Sequence, residues 1–196
     1  MARWEAVGTP GLVPVIRVRQ MRENLAALDC FEPELQARIR ARLADTVGLI
    51  EDAPSSSWLP IEVDAEVAET VGALAGVEGA RRWGRRGLQR SFGAPFLQSI
   101  VRGAVGVFGL DPAKIVRFVP RGVSNIYRNC GTWEAIAADG GFVDLRWSDP
   151  PASFASKVCK ESFAGALEAI FEALDRSGTV TLRRDGDALV FELRWV

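Results

Sequence analysis

Five arginines, Arg81, Arg82, Arg85, Arg86 and Arg90, fall within ten residues. If the stretch 80–92 is helical, Arg82, Arg86 and Arg90 share a face with Arg81 and Arg85 alongside, and like charges at that spacing repel. Something must offset the repulsion: acids of the same chain, a partner protein, a phosphate group or a nucleic acid. Charge is segregated around this point. From Leu43 to Ala80 there are eight acids and no base, whereas from Arg81 to Cys130 there are ten bases and one acid, Asp111. Two readings stand side by side. One is a solvated arginine-rich face balanced inside the fold. The other is an anion- or partner-binding surface made by Arg81, Arg82, Arg85, Arg86, Arg90, Arg121 and Arg128. A net charge of −1, and Trp83 as the one aromatic among the clustered arginines, argue against nucleic acid.

Covalent chemistry has little to draw on. The chain has no histidine, which removes Ser-His and Cys-His nucleophile pairs, the imidazole base and histidine ligation of metal or haem. Three cysteines, Cys30, Cys130 and Cys159, lack CxxC spacing and make a poor zinc set. Buried, unreactive thiols are expected. Cys130, in a loop ahead of a strand, is expected to be the most accessible of them. Paired carboxylates, a P-loop and a GxGxxG motif are missing, so neither a catalytic constellation nor a metal or cofactor site is read. The segment Pro120–Asn129 gathers two arginines, a serine, two asparagines and the one tyrosine in an expected loop. Its polar groups either orient a ligand or satisfy a long connection.

The elements that must position these residues divide the chain in two. Residues 1–24 read as an N-terminal extended segment, and 25–196 as a single α+β domain. Pro33 and Glu34 open a helix with Leu35, Ile39 and Leu43 on one stripe, closed at Gly48. Trp58–Ile61 is an apolar plug, and Asp64 is expected to cap a helix carrying Val67, Val71 and Leu74. Gly76 and Gly79 separate that helix from the arginine-rich one. Pro95 begins a third, and Pro120 ends the helical half. Beyond it, 133–138 with 142–147 reads as a hairpin, 154–174 as an amphipathic helix, and 179–184 with 189–195 as a second hairpin. Helices therefore pack on an antiparallel sheet made of two hairpins flanking a helix.

Gly103, Gly106 and Gly109 recur every third residue on the expected third helix. Helix-interior glycine costs about 1 kcal/mol relative to alanine, so the row marks close backbone approach or the wall of an apolar cavity. The cavity reading assigns ligand contacts to Phe96, Ile100, Gly103, Val107, Phe163 and Leu167. No run reaches the length of a membrane span, no signal peptide is read, and unpaired cysteines suit the cytoplasm.

The glycine-spaced run Arg81-Arg82-Trp83-Gly84-Arg85-Arg86-Gly87, the segment Asn129-Cys130-Gly131-Thr132-Trp133-Glu134 and the terminal Phe191–Trp195 strand carry a resemblance. In this order they resemble the haem-NO-binding/4-vinyl-reductase/TRAPP-subunit-like superfamily, and within it a family of about 200 residues multiplied in myxobacteria. The resemblance implies a non-enzymatic sensor or adaptor, often dimeric, with an apolar cavity between helices and sheet. Its occupant would be a small apolar ligand, and its output a protein partner. The haem-binding branch uses a proximal histidine and a Tyr-x-Ser-x-Arg signature, and Tyr127-Arg128-Asn129-Cys130-Gly131 departs from it. An alternative of another class is a charge-paired homo-oligomeric scaffold, in which the acidic stretch meets the basic one of a neighbour.

Overall fold

A computed structural model describes residues 13–93, 111–139 and 141–196. β1 (Val15–Arg17) runs directly into α1 (Val18–Ala26), followed by a short 3-10 turn, Ala27–Cys30. α2 (Pro33–Arg42) and α3 (Ala44–Asp52) precede β2 (Trp58–Pro60) and the long α4 (Glu62–Gly93). α5 (Pro112–Val116), α6 (Val119–Ile126) and β3 (Tyr127–Arg128) lead to the hairpin β4 (Thr132–Asp139) and β5 (Phe142–Ser148). α7 (Lys157–Ala173) and the hairpin β6 (Gly178–Asp185) and β7 (Ala188–Trp195) complete the chain.

The expected α+β architecture holds. Four antiparallel strands lie in the order β4-β5-β7-β6, so each predicted hairpin forms and the second strands of the two hairpins meet at the centre. Val143, Leu145 and Trp147 of β5 are buried on one face beside Leu189, Phe191 and Leu193 of β7. Helix α7 covers that face. Its N-cap Ser156 accepts a hydrogen bond from the Cys159 amide, which satisfies one of the free amides of the first turn. The aromatic side chains between the layers form one connected stack. Trp133 lies 4.7 Å from Trp147 and 5.3 Å from Phe191, and Phe163 of α7 lies 4.9 Å from Trp147.

Several sequence expectations need correction. The N-terminal segment 1–24 is extended only over Val15–Arg17 within the described residues; from Val18 it is helix, because Val18, Met21 and Leu25 form a buried stripe. β1 is also the centre of a second sheet, β2-β1-β3, with Arg17 opposite Trp58 and Ile16 opposite Tyr127. The Trp58 plug is thus a strand. The helix after Pro33 breaks at Leu43, not at Gly48, which lies inside α3. Pro120 does not end the helical half. It occupies the first turn of α6, where its missing N–H has no partner to lose. The segment 120–129 is accordingly helix and strand rather than loop through Arg128. The helix expected after Pro95 lies outside the described residues.

The layers are held close by glycine. A Cβ on Gly84 of α4 would collide with the Ser162 carbonyl of α7, and one on Gly165 of α7 would collide with the Arg81 carbonyl of α4. The two helices therefore touch backbone to backbone, each through a glycine opposite the other's carbonyl. Gly48 is different, with nothing within 4 Å of its missing Cβ. Alanine at these two positions should act in opposite directions. Urea titration is expected to show Gly84→Ala losing about 1–3 kcal/mol through forced separation of the helices. Gly48→Ala should gain roughly 0.5–1 kcal/mol from helix propensity alone.

Candidate functional site

Between α4, α6, α7 and the sheet lies a cavity of about 180 Å³. Trp83, Gly84 and Leu88 of α4 form one wall; Phe163, Leu167 and Ile170 of α7 form another. Val119, Val123 and Ile126 of α6 close a third side, and Trp133 supplies aromatic surface from the sheet. Of the residues expected to line a pocket, Phe163 and Leu167 do so. Phe96, Ile100, Gly103 and Val107 lie outside the described residues.

One end of the cavity is polar. Asp64 lines it and is 5% exposed. Its side chain does not cap α4 as expected. One carboxyl oxygen accepts from Asn24 Nδ2 at 3.0 Å and the other from the Tyr127 hydroxyl at 3.1 Å. The three residues come from different elements. α1 delivers Asn24, which is further tied down because its carbonyl accepts from Trp83 Nε1 at 2.7 Å. β3, paired to β1, delivers Tyr127. Asp64 sits on the same side of α4 as Val67 and Val71, so the helical period that defines the buried stripe also includes the carboxyl. That spacing was the signal available in the sequence.

Burial pushes the Asp64 carboxyl up to about 6, even though the hydrogen bonds from Tyr127 and Asn24 act to lower it. The Tyr127 phenol is raised well above its ordinary value, first by burial and then by the adjoining carboxylate. Tyr127 therefore stays a donor across the physiological range.

Burial governs the cysteines. Cys130 is buried rather than accessible, because its thiol sits under β1 and β3 and donates to the Val15 and Arg128 carbonyls. Burial pushes Cys130 and Cys159 each up to about 12, and it also raises Cys30, the more exposed of the three.

The clustered arginines are turned inward to partners within the chain. Arg81 pairs with Glu161 and Glu168, and Arg85 with Glu168 and Glu172. Arg86 and Arg90 share Asp29, Arg90 also meets Glu23, and Arg82 lies over the Phe31 ring. The balancing acids thus come from α1, the turn after it and α7, rather than from the 43–80 stretch immediately upstream. Arg128 stands apart from this cluster, 4.1 Å over the Trp58 ring on which Arg17 also lies; Arg121 is exposed on α6. Glu168 shows the strength of the pairing. Burial acts to raise its pKa, but the hydrogen bonds from Arg81 and Arg85 prevail and hold it below the ordinary value.

No family model matches the chain, and no curated protein is similar to it in sequence. Solved structures are similar in shape. A point mutant of the iron(II) unliganded H-NOX protein from K. algicida superposes with a TM-score of 0.63 at 13% identity, covering 92% of this chain and 97% of that one. An oxygen-binding H-NOX domain related to soluble guanylate cyclases, solved as its oxygen complex, gives 0.59 at 13% identity, covering 92% and 95%. A Cs H-NOX mutant carrying 4-cyano-L-phenylalanine gives 0.62 at 11%, covering 92% and 96%. The fold is that of the H-NOX domains. The narrower likeness to a myxobacterial family finds no support among these structures.

H-NOX folds imply haem, and this chain's donor set does not fit it. Haem iron takes His, Cys thiolate, Met or Tyr as protein ligand. The chain has no histidine. Cys130 and Cys159 stay protonated, and the cavity's Tyr127 is committed to Asp64 as a donor.

Asp64 binds its proton more tightly folded than unfolded, since about 6 lies above the unfolded value near 4. Its contribution to stability is therefore full below pH 4 and is lost as pH rises through 6, which amounts to about 3 kcal/mol at neutral pH. Asp64→Asn is expected to be more stable than the parent at about pH 7.5, with the difference shrinking toward zero near pH 4. Paired urea titrations at the two pH values measure this.

Proposed function

We propose that this domain is a non-enzymatic sensor-like module that holds a small, largely apolar ligand in the cavity beneath α4 and α7. The observation that carries the reading is the combination of an apolar, aromatic-walled cavity with one convergent polar group set, Asp64, Tyr127 and Asn24. Binding sites are built this way: apolar surface supplies affinity, and a few placed polar groups fix orientation. The size suits a compact molecule, since an engineered apolar cavity of about 150 Å³ takes benzene. Small-ligand binding is also what the oxygen-complexed H-NOX neighbour is described as doing. Without histidine or a reactive thiol the module would act by recognition, passing occupancy to a protein partner or a second copy of itself in the cytoplasm.

The binding step is testable with simple probes. Benzyl alcohol titrated against the intact chain is expected to quench or shift tryptophan emission saturably, because Trp83 and Trp133 line the cavity. Ala166 also lines it, so Ala166→Phe should fill the space and abolish binding while the circular dichroism spectrum is kept. Absence of saturable binding by benzyl alcohol, toluene and benzylammonium alike, together with no co-purifying small molecule in native mass spectrometry, would overturn the reading.

A further inference from the structure

Asp64 is an unusual group to leave at the end of an apolar cavity. A buried carboxylate is costly unless a cation or several donors compensate it. Among the described residues it has two donors, Asn24 and Tyr127, and no ion pair reaches it. The first turn of α4 offsets part of the charge through the helix dipole, a modest effect. The arginines that would most simply neutralise it are held elsewhere: Arg81, Arg85, Arg86 and Arg90 by other acids, and Arg128 by the Trp58 ring.

The other polar groups of the cavity are turned toward one another. Gln20 donates to Asn24 and to Ser91, and the Ser162 hydroxyl donates to the Cys159 carbonyl. Among the described residues the Asp64 carboxylate keeps spare lone-pair capacity for a ligand, and it can only accept. An anion or a pure acceptor is repelled there. Trp83, Tyr127, Trp133 and Phe163 line the same cavity, and aromatic surface attracts positive charge, more strongly where water is excluded.

We propose that the cavity takes a small organic ammonium ion, its N–H groups on the Asp64 carboxylate and its apolar body against the aromatic wall. This rests on the cavity being a ligand site. The bound cation supplies a countercharge that Asp64 lacks among the described residues.

Three probes of nearly equal size separate charge from cavity: benzylammonium, benzyl alcohol and toluene, each titrated by calorimetry against the intact chain. Benzylammonium is expected to bind at least about tenfold more tightly than benzyl alcohol at about pH 7.5. Asp64→Asn should erase this preference, read as the ratio of the two affinities. A second measurement needs no variant. The groups facing Asp64 are Asn24, the Tyr127 phenol and the thiols of Cys130 and Cys159, with Glu62 and Glu69 on its own helix. Burial keeps the phenol and both thiols protonated through neutral pH, so the Asp64 carboxyl, at about 6, sets the dependence. Benzylammonium affinity should fall toward tenfold per pH unit below about 6, while that of toluene stays level.

If benzyl alcohol binds and benzylammonium binds no better, the ammonium assignment is overturned and the cavity reading stands. Benzylammonium affinity that ignores both Asp64→Asn and pH overturns it as well. Failure of all three probes to bind overturns both readings.

Discussion

Everything else in the molecule is arranged around the contact between α4 and α7, two helices that approach until backbone meets backbone. At Gly84 and Gly165 each helix lays its missing side chain against the other's carbonyl group, a reciprocal arrangement that ordinary core residues cannot occupy. Close approach at one point lets the same helices diverge around it, and the cavity lies beside this contact, with Gly84 itself in the wall. The ion pairs reinforce the contact from its outer edge. Arg81 and Arg85 reach across to Glu168, a carboxylate 8% exposed whose loss of hydration is compensated by two guanidinium groups. Buried pairs of this kind add little net stability over an apolar alternative, but removal of one member is costly, so they fix register more than they stabilise.

Against that background the two buried acids of the core make an instructive contrast. Glu168 is paired with two arginines and sits below its ordinary pKa; Asp64 has, among the described residues, only neutral donors and sits above it. One is structural glue. The other costs stability at neutral pH in exchange for an acceptor facing a void, and groups that weaken a fold while facing a cavity are where function is best sought. The H-NOX-like shape supplies the void, and this chain's own side chains decide what enters it.

The C-terminal half was legible in the sequence because its periods are strict. Alternation over Leu189–Trp195 and the stripe through Phe163, Leu167 and Ile170 each admit one reading, and the hairpins and α7 follow. The N-terminal half was less so. Strands of three, three and two residues, β1, β2 and β3, are too short to show a period, so their sheet emerges only from tertiary pairing. Asp64 read naturally as a cap, because acids favour helix starts for reasons unrelated to burial; only its place on the Val67–Val71 stripe distinguishes it. The arginine cluster was visible, but its partners lie up to 87 residues away in Glu168, a pairing that no local pattern announces. Cys130 is buried as expected of the thiols, but its place ahead of a strand made it read as the more accessible one, because the sheet that covers it is the one the sequence hides.

Helix α4 is two rods joined at Gly76, where φ is +76° and ψ is 175°, a region of backbone space that is essentially glycine's alone. The front rod carries the carboxyl and the rear rod carries the indole of Trp83, so a single torsion pair sets how these two groups stand to one another in the cavity wall. No neighbour lies within 4 Å of the position a Cβ would take at Gly76. The joint is thus defined by torsional preference rather than by crowding, and the placing of carboxyl beside indole is written into one residue outside the cavity lining.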